Sequence, residues 1–287
     1  MKEGIDLLTT QGGKGCPVCD RTARLGAEFP DYQLFRCGHC GCWSSDAEAR
    51  GALTSFETVN YFENADLDRP KWEALFRRLE SRGRKIQSVL DVGCGNGAFL
   101  AFVTAGRPDI YCEGIELDPG RARQARERNP EARIHLGEAS ELLPISSGPF
   151  DLITLWDVFE HVTAPARLLR QLAQCLRSNG SIHIVTIHER SIVPTLGRIS
   201  NWLTRGRVTY AIRRTHEAHH LVFFTRKGLE IVARRAGLGI QELWFDRLLR
   251  ARMDGHPALT AATATLLRLE NALGNGLFVN LILEARS

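Results

Sequence analysis

No apolar run in the 287-residue chain approaches the ~18 residues that a bilayer-crossing helix needs. The opening Met1-Lys2-Glu3-Gly4-Ile5-Asp6 also lacks the apolar stretch of a signal peptide, so a cytoplasmic protein is expected. Excess charge is missing too: 37 basic against 33 acidic residues leave +4, too mild for a dedicated nucleic-acid binder. There is no internal repeat and no low-complexity tract. What remains, 44% hydrophobic and 24% charged, is the composition of an ordinary globular protein and argues against disordered, collagenous and disulfide-scaffold classes. The length is about twice the ~150 residues of a typical domain, which suggests one large domain or a large one with a small companion.

Cysteine is distributed unevenly. Cys16, Cys19, Cys37, Cys40 and Cys42 cluster near the N-terminus, whereas Cys94, Cys112 and Cys175 lie scattered among apolar neighbours. Cys16-Pro17-Val18-Cys19 and Cys37-Gly38-His39-Cys40 are two C-x2-C pairs at zinc-ribbon spacing, each able to bring two thiolates to one corner of a tetrahedron. Disulfides are the weaker reading in a reducing compartment. A structural Zn2+ on Cys16, Cys19, Cys37 and Cys40 is expected, with all four positions filled and none open for catalysis. Cys42 could replace Cys40 and His39 could compete, but a histidine between two ligands in a knuckle usually points outward.

The spacing divides the chain into a zinc ribbon over 1–50, a helical connector over 51–85 and a larger domain over 86–287. Within the connector, Trp72, Leu75, Phe76 and Leu79 recur at helical spacing. Beyond it, short apolar runs at 86–92, 110–116, 133–136, 150–156 and 181–187 alternate with helical stretches such as 164–178, which Asn179-Gly180 should end. That alternation predicts an α/β fold, a doubly wound parallel sheet with helices on both faces.

Ser88 to Leu100 reads as a buried strand, a glycine turn and a helix start, with Gly93, Gly95 and Gly97 leaving backbone open to a ligand. Gly93, Gly95 and Ala98 also fit a dinucleotide fingerprint. Asp91 discriminates: an acid just before the first glycine would repel a pyrophosphate but suits an ammonium. Glu116 ends the next strand, where its carboxylate can take both hydroxyls of a ribose. Gly137-Glu138-Ala139 follows the third strand, and Trp156-Asp157 through Glu160-His161-Val162 closes the fourth.

With these motifs the chain resembles class I S-adenosylmethionine-dependent methyltransferases, of the bacterial small-molecule type in which a zinc ribbon precedes the catalytic domain. The resemblance covers nearly the whole chain and implies a seven-stranded Rossmann-like sheet. It implies that Asp91 with Gly93, Cys94, Gly95 and Gly97 holds the amino-acid end of the cofactor and that Glu116 holds the ribose. Glu138 and Ala139 would meet the adenine, Trp156 would wall the sulfonium, and Leu117, Asp157 and Tyr61 would also bind the cofactor. The cofactors implied are S-adenosyl-L-methionine and structural Zn2+. At position 138 the family more often carries Asp.

Methyl transfer from a sulfonium mainly requires alignment of the nucleophile and exclusion of water. If the acceptor is a hydroxyl, a base helps, and His161, following the fourth strand at the carboxyl edge of the sheet, is the candidate catalytic residue. His216, His219 and His220 are rivals, though their stretch reads more simply as a solvated loop. Between Arg190 and Arg252 thirteen basic residues face four acids, giving +9 and pointing to an anionic acceptor. Residues 188–220 exceed an ordinary strand-to-helix connection, and their mix of arginines with Ile199, Trp202 and Leu203 suggests an insertion acting as a substrate lid or a membrane-surface contact. O-methylation of a small anionic metabolite, such as a sugar nucleotide, glycan precursor or natural-product intermediate, is the leading function. The alternatives are an RNA methyltransferase and a non-enzymatic zinc-ribbon binding module. The first is disfavoured because Asp157 does not begin an Asn/Asp-Pro-Pro-aromatic motif, the second because the cofactor motifs are intact.

Overall fold

The computed structural model describes residues 13–47, 67–143, 148–246 and 257–286. Two sheets organise them. The larger has seven strands, β5 (Ser88–Val92), β6 (Tyr111–Glu116), β7 (Arg133–Leu136), β8 (Phe150–Trp156), β9 (Leu176–Ile187), β11 (Leu238–Asp246) and β12 (Phe278–Ala285), in the order β11-β12-β9-β8-β5-β6-β7. The pairings from β9 through β7 are parallel, while β12 runs antiparallel to both its neighbours. The chain leaves β5 toward β6 and β7 on one side, then returns to β8 and β9 on the other. The strand order therefore reverses beside β5, and the carboxyl ends of β5 and β8 border the crevice where open α/β sheets take ligands.

Each face of the sheet has its own core. On one, α1 (Arg69–Ser81), α2 (Ala98–Gly106) and α3 (Pro119–Arg128) cover Val89, Cys112, Ile134 and Leu152, and the helical stripe Trp72, Leu75, Phe76 and Leu79 is fully engaged. On the other, α5 (Pro165–Gln174) and α8 (Arg226–Arg235) pack on Leu90, Val92, Ile153, Leu155, Ile182 and Ile184. Helix α5 is shorter than its apolar spacing suggests. It ends at Gln174, and Asn179-Gly180 lies inside β9 rather than at a helix end, because Leu176 already pairs with Phe150 and a side chain at Gly180 would meet the Phe150 carbonyl.

The second sheet is the ribbon, β1 (Gly13–Gly15), β2 (Thr22–Glu28), β3 (Gln33–Cys37) and β4 (Trp43–Ser45), all antiparallel. Its fifth strand is β10 (Val222–Phe223), which pairs with β4 from a point far along the chain. Cys16, Val18, Cys40 and Cys42 share one apolar cluster with α5 and α8. The ribbon is thus packed into the larger unit. The connection after β9 forms α6 (Ile192–Leu203) and α7 (Tyr210–Thr215), crossing closely where Gly197 meets Ala211 and Ile212. Tyr32 donates to the His216 carbonyl at 2.6 Å, and Arg213 clasps Asp31 through two bonds of 2.8 Å, so this segment is fastened to the ribbon.

Where α8 meets the ribbon, a side chain at Gly228 would collide with Cys42 Sγ. Alanine normally stabilises a helix interior relative to glycine by ~1 kcal/mol. Here Gly228→Ala should reverse that sign and destabilise by about 1–3 kcal/mol through overpacking, read as a lower thermal midpoint.

Candidate functional site

The glycine loop sits at the carboxyl end of β5. Gly93, Gly95 and Gly97 have φ of 71°, 55° and 76°, the left-handed region that only glycine occupies without strain. A side chain at Gly93 would approach Val158 Cγ2 to 2.5 Å, and one at Gly97 would run into Asn129. The turn is pinned from the next strand, since the amides of Gly93 and Cys94 donate to the Ile115 carbonyl at 2.8 and 3.0 Å. Cys94 contributes only backbone to this surface, because its thiol is buried toward Gly114.

Two buried carboxylates flank the loop. Asp91 is enclosed, accepts from Thr154 Oγ1 at 2.6 Å, and has its pKa raised by burial to about 7, with the charge of Glu116 adding to the shift. Glu116 accepts from the Gly95 amide at 2.7 Å through one oxygen and from the Asp118 amide at 2.9 Å through the other. Asp91 is thus a buried acid beside open backbone with no cation near enough to compensate it among the described residues. That environment fits an ammonium group, which would favour the charged form.

The remaining positions form a rim along the same edge. Leu117, 62% exposed, stands past the end of β6 with an apolar surface uncovered. Glu138 caps α4 (Ala139–Leu142) and accepts from Ser140 Oγ at 2.5 Å, and Ala139 packs on the core below. Trp156 ends β8 against Phe99, Trp72 and His183, with its indole N–H buried and without a partner among the described residues. Asp157 follows at φ 53°, a left-handed turn that Asp tolerates better than most residues. Tyr61 lies outside the described residues.

A histidine cluster gathers beyond the carboxyl end of β8. A short 3-10 turn over Phe159–His161 follows β8. His161 Nδ1 lies 2.7 Å from the His219 carbonyl, which can only accept, so Nδ1 carries the proton and Nε2 of the neutral ring has the lone pair. Burial lowers the His161 pKa to about 4, keeping the ring neutral near pH 7. Glu160, fully buried, accepts from Thr186 Oγ1 at 2.8 Å, and burial together with the charge of Asp157 raises its pKa to about 8. Ligand atoms of Glu160, His161 and His220 lie within 4.8 Å of one another, a set that could hold a proton or a divalent cation. The expectation of a solvated loop at 216–220 is corrected here: His216 is buried and bonded to Glu189 at 2.9 Å, and His219 and His220 pack on His161. Glu160 stands in the sequence motif beside His161 but is assigned no role there, and Thr154 and Thr186 carry no local signal.

The four ribbon thiols converge as their spacing demands. Cys16 and Cys40 sulfurs are 3.6 Å apart, Cys19 and Cys37 3.5 Å, and all four lie within 4.8 Å of one another. A tetrahedral zinc with bonds of ~2.3 Å needs sulfur separations of ~3.8 Å, so small adjustments would accommodate one. His39 points to solvent, while Cys42 turns to Thr225. Arg213, one of the basic residues between Arg190 and Arg252, is engaged by Asp31.

Comparison with known proteins agrees with this geometry. A family model described as a methyltransferase domain matches residues 62–243, more than half of the chain, and the chain belongs to that family of S-adenosylmethionine-dependent methyltransferases. It is 29% identical over 164 residues to a ubiquinone biosynthesis O-methyltransferase of Aromatoleum aromaticum, covering 54% of this chain and 65% of that one. Against the Arabidopsis thaliana chloroplastic tocopherol O-methyltransferase it is 29% identical over 119 residues, covering 39% and 34%. The matched stretch spans between a third and two thirds of the length of these two relatives. Among solved structures, the plantazolicin methyltransferase BamL, in complex with a triazolic desmethylPZN analog and SAH, superposes at TM-score 0.55 with 14% identity, over 83% of this chain and 91% of that chain. A Clostridium acetobutylicum S-adenosylmethionine-dependent methyltransferase gives 0.53 with 12% identity, over 79% and 95%. At that identity these two likenesses establish the fold alone.

The elevated Asp91 pKa has a measurable consequence. At pH 6 the free carboxyl is mostly protonated, and an arriving ammonium favours the ionised form, so binding must expel about one proton. Calorimetry with S-adenosylhomocysteine at pH 6 should show heats that depend on the ionisation enthalpy of the buffer. Affinity should weaken as pH falls below 7. Asp91→Asn should abolish the buffer dependence, whereas heats independent of buffer in the unmodified protein would remove Asp91 from the ligand's amino end.

Proposed function

We propose that the protein transfers a methyl group from S-adenosylmethionine to an oxygen of a small anionic metabolite. The observation that carries this reading is the glycine loop at the carboxyl end of β5, flanked by the buried carboxylates Asp91 and Glu116, with His161 in the turn that follows the neighbouring strand β8. When bound, the cofactor supplies a methyl group already activated on a sulfonium. Asp91 would hold the ammonium, Glu116 the ribose hydroxyls, and the uncovered Leu117 and the Glu138-Ala139 turn the adenine. Trp156 and Asp157 would close the space toward the acceptor, with Trp156 excluding water.

His161 Nε2 would take the acceptor's proton. The Nδ1 bond to the His219 carbonyl fixes the ring orientation and supports the imidazolium as it forms. The names of the O-methyltransferase relatives support oxygen as the acceptor atom, and the basic stretch 190–252 supports an anion. The exposed Leu196, Ile199, Trp202 and Leu203 of α6 favour one second reading, a lipid-linked acceptor met at a membrane surface, which flotation with anionic vesicles tests. None of the helices searched among the described residues is long and apolar enough to cross a membrane.

With a hydroxyl acceptor, His161→Ala should lower kcat by roughly 100-fold or more while leaving S-adenosylhomocysteine affinity unchanged. Because the ring is neutral well below pH 7, kcat should show no histidine limb between pH 6 and 8. Equal kcat in the variant would remove the base.

Cys16, Cys19, Cys37 and Cys40 would hold a structural zinc. Since the ribbon is sewn to α6, α7 and α8, Cys37→Ser should lose the metal and also loosen that segment. Elemental analysis should find one zinc per chain after purification without chelators, against less than a tenth in the variant.

A further inference from the structure

A cleft of about 1480 Å³ opens between the ribbon sheet and α6, outside the cofactor crevice but continuing from the residues that follow β9. Six arginines line it: Arg21 and Arg24 from the ribbon's second strand and the turn before it, Arg36 from the third strand, and Arg190, Arg198 and Arg205 from α6 and its flanks. Among the described residues that line it, two acids, Glu28 and Glu189, stand against six positive charges, leaving +4. Glu189 is already spent, being buried and bonded to both Arg198 and His216. Arg21, Arg24, Arg36, Arg190 and Arg205 make no ion pair with any described residue.

The cations are forced together. Arg24 and Arg36 sit directly opposite each other in the pairing of β2 with β3, where like charges are destabilising. Arg198 is partly desolvated, and the charges of Arg36 and Arg190 oppose its own, each tending to depress its pKa. The guanidinium of Arg190 also lies against Gly41, beside the cysteine knuckle. A fold that gathers like charges on rigid strands gains stability when a compact polyanion enters. Arginine forks match phosphate oxygens in bidentate fashion.

The aromatic content narrows the ligand. Channels for single-stranded nucleic acid stack successive bases on several exposed rings. Among the described residues this cleft has one, Trp202, 75% exposed beside Ile199, while Trp43 is buried under Gly26. One apolar platform beside a dense phosphate grip suits a ligand with two phosphates and a single aromatic or apolar portion.

We propose that the cleft between the ribbon and α6 is a binding site for a diphosphate ester, gripped by Arg36 and Arg190 and resting its organic portion on Trp202. The assignment deepens the proposed function, on which it rests, by supplying the anionic handle of the acceptor. It also gives the ribbon a role in substrate recognition.

The test uses the full chain, loaded with zinc and saturated with S-adenosylhomocysteine, titrated calorimetrically with inorganic pyrophosphate. Saturable binding is expected, weakened about tenfold or more in the Arg36→Ala/Arg190→Ala double variant. Both side chains are exposed, so zinc content, thermal midpoint and S-adenosylhomocysteine affinity should stay as in the unmodified protein. Uridine diphosphate and farnesyl diphosphate then distinguish a soluble nucleotide from a lipid-linked source, and whichever binds more tightly than pyrophosphate identifies it. Trp202→Ala should reduce that extra affinity without changing pyrophosphate binding. No saturable binding, or equal binding by the double variant, would overturn the proposal. A single-stranded RNA oligomer that binds far more tightly than any diphosphate, with a steep salt dependence, would also overturn it. Failure here with intact S-adenosylhomocysteine binding would leave the methyltransferase reading standing.

Discussion

An acid buried at the end of a central strand is costly unless a cation or a proton accompanies it, and Asp91 occupies such a place. Its carboxylate has one hydroxyl partner, Thr154, and a second carboxylate, Glu116, adds to the burden. The surroundings follow from that arrangement. Three left-handed glycines bring backbone close without side chains, and the reversal of strand order beside β5 leaves the space above them open. On the proposed reading the site would take a ligand with an ammonium at one end and hydroxyls at the other. Such preorganisation reduces what must be ordered when the ligand binds.

The acceptor side is built differently. Its residues come from the turn after β8, the end of β9 and the stretch before β10, segments far apart in the chain and fixed by the ribbon. Tyr32 and Asp31 hold α7 and His216, Glu189 joins His216 to Arg198, and β10 completes the ribbon sheet. A metal in the ribbon would thereby stabilise this segment, and the same packing creates the arginine cleft. On the proposed reading the ribbon would be part of the acceptor-binding architecture and not an appended module.

Much of the central fold was legible because its signals are local. Strand periodicity located β5 through β8, the Asp91-to-Gly97 run announced a turn, and two C-x2-C pairs announced a tetrahedral thiol set. What escaped depends on long-range partners. Thr154 meets Asp91 across 63 positions, His219 meets His161 across 58, and Asp31 meets Arg213 across 182. The charge of Arg213 is visible in the sequence as part of the basic 190–252 stretch, and its partner Asp31 is not. Helix α5 was read too long because Leu176 continues the helical spacing, although pairing with Phe150 draws it into β9.

The central claim is that the Asp91–Glu116 crevice holds the methyl donor opposite His161. A crystal structure with S-adenosylhomocysteine tests it most directly. The ligand's amino group should lie within hydrogen-bond distance of Asp91 or the glycine-loop carbonyls, its ribose hydroxyls on Glu116, and its sulfur facing the space between Trp156 and His161. A ligand bound elsewhere, or one whose sulfur is walled off from His161, would contradict the account.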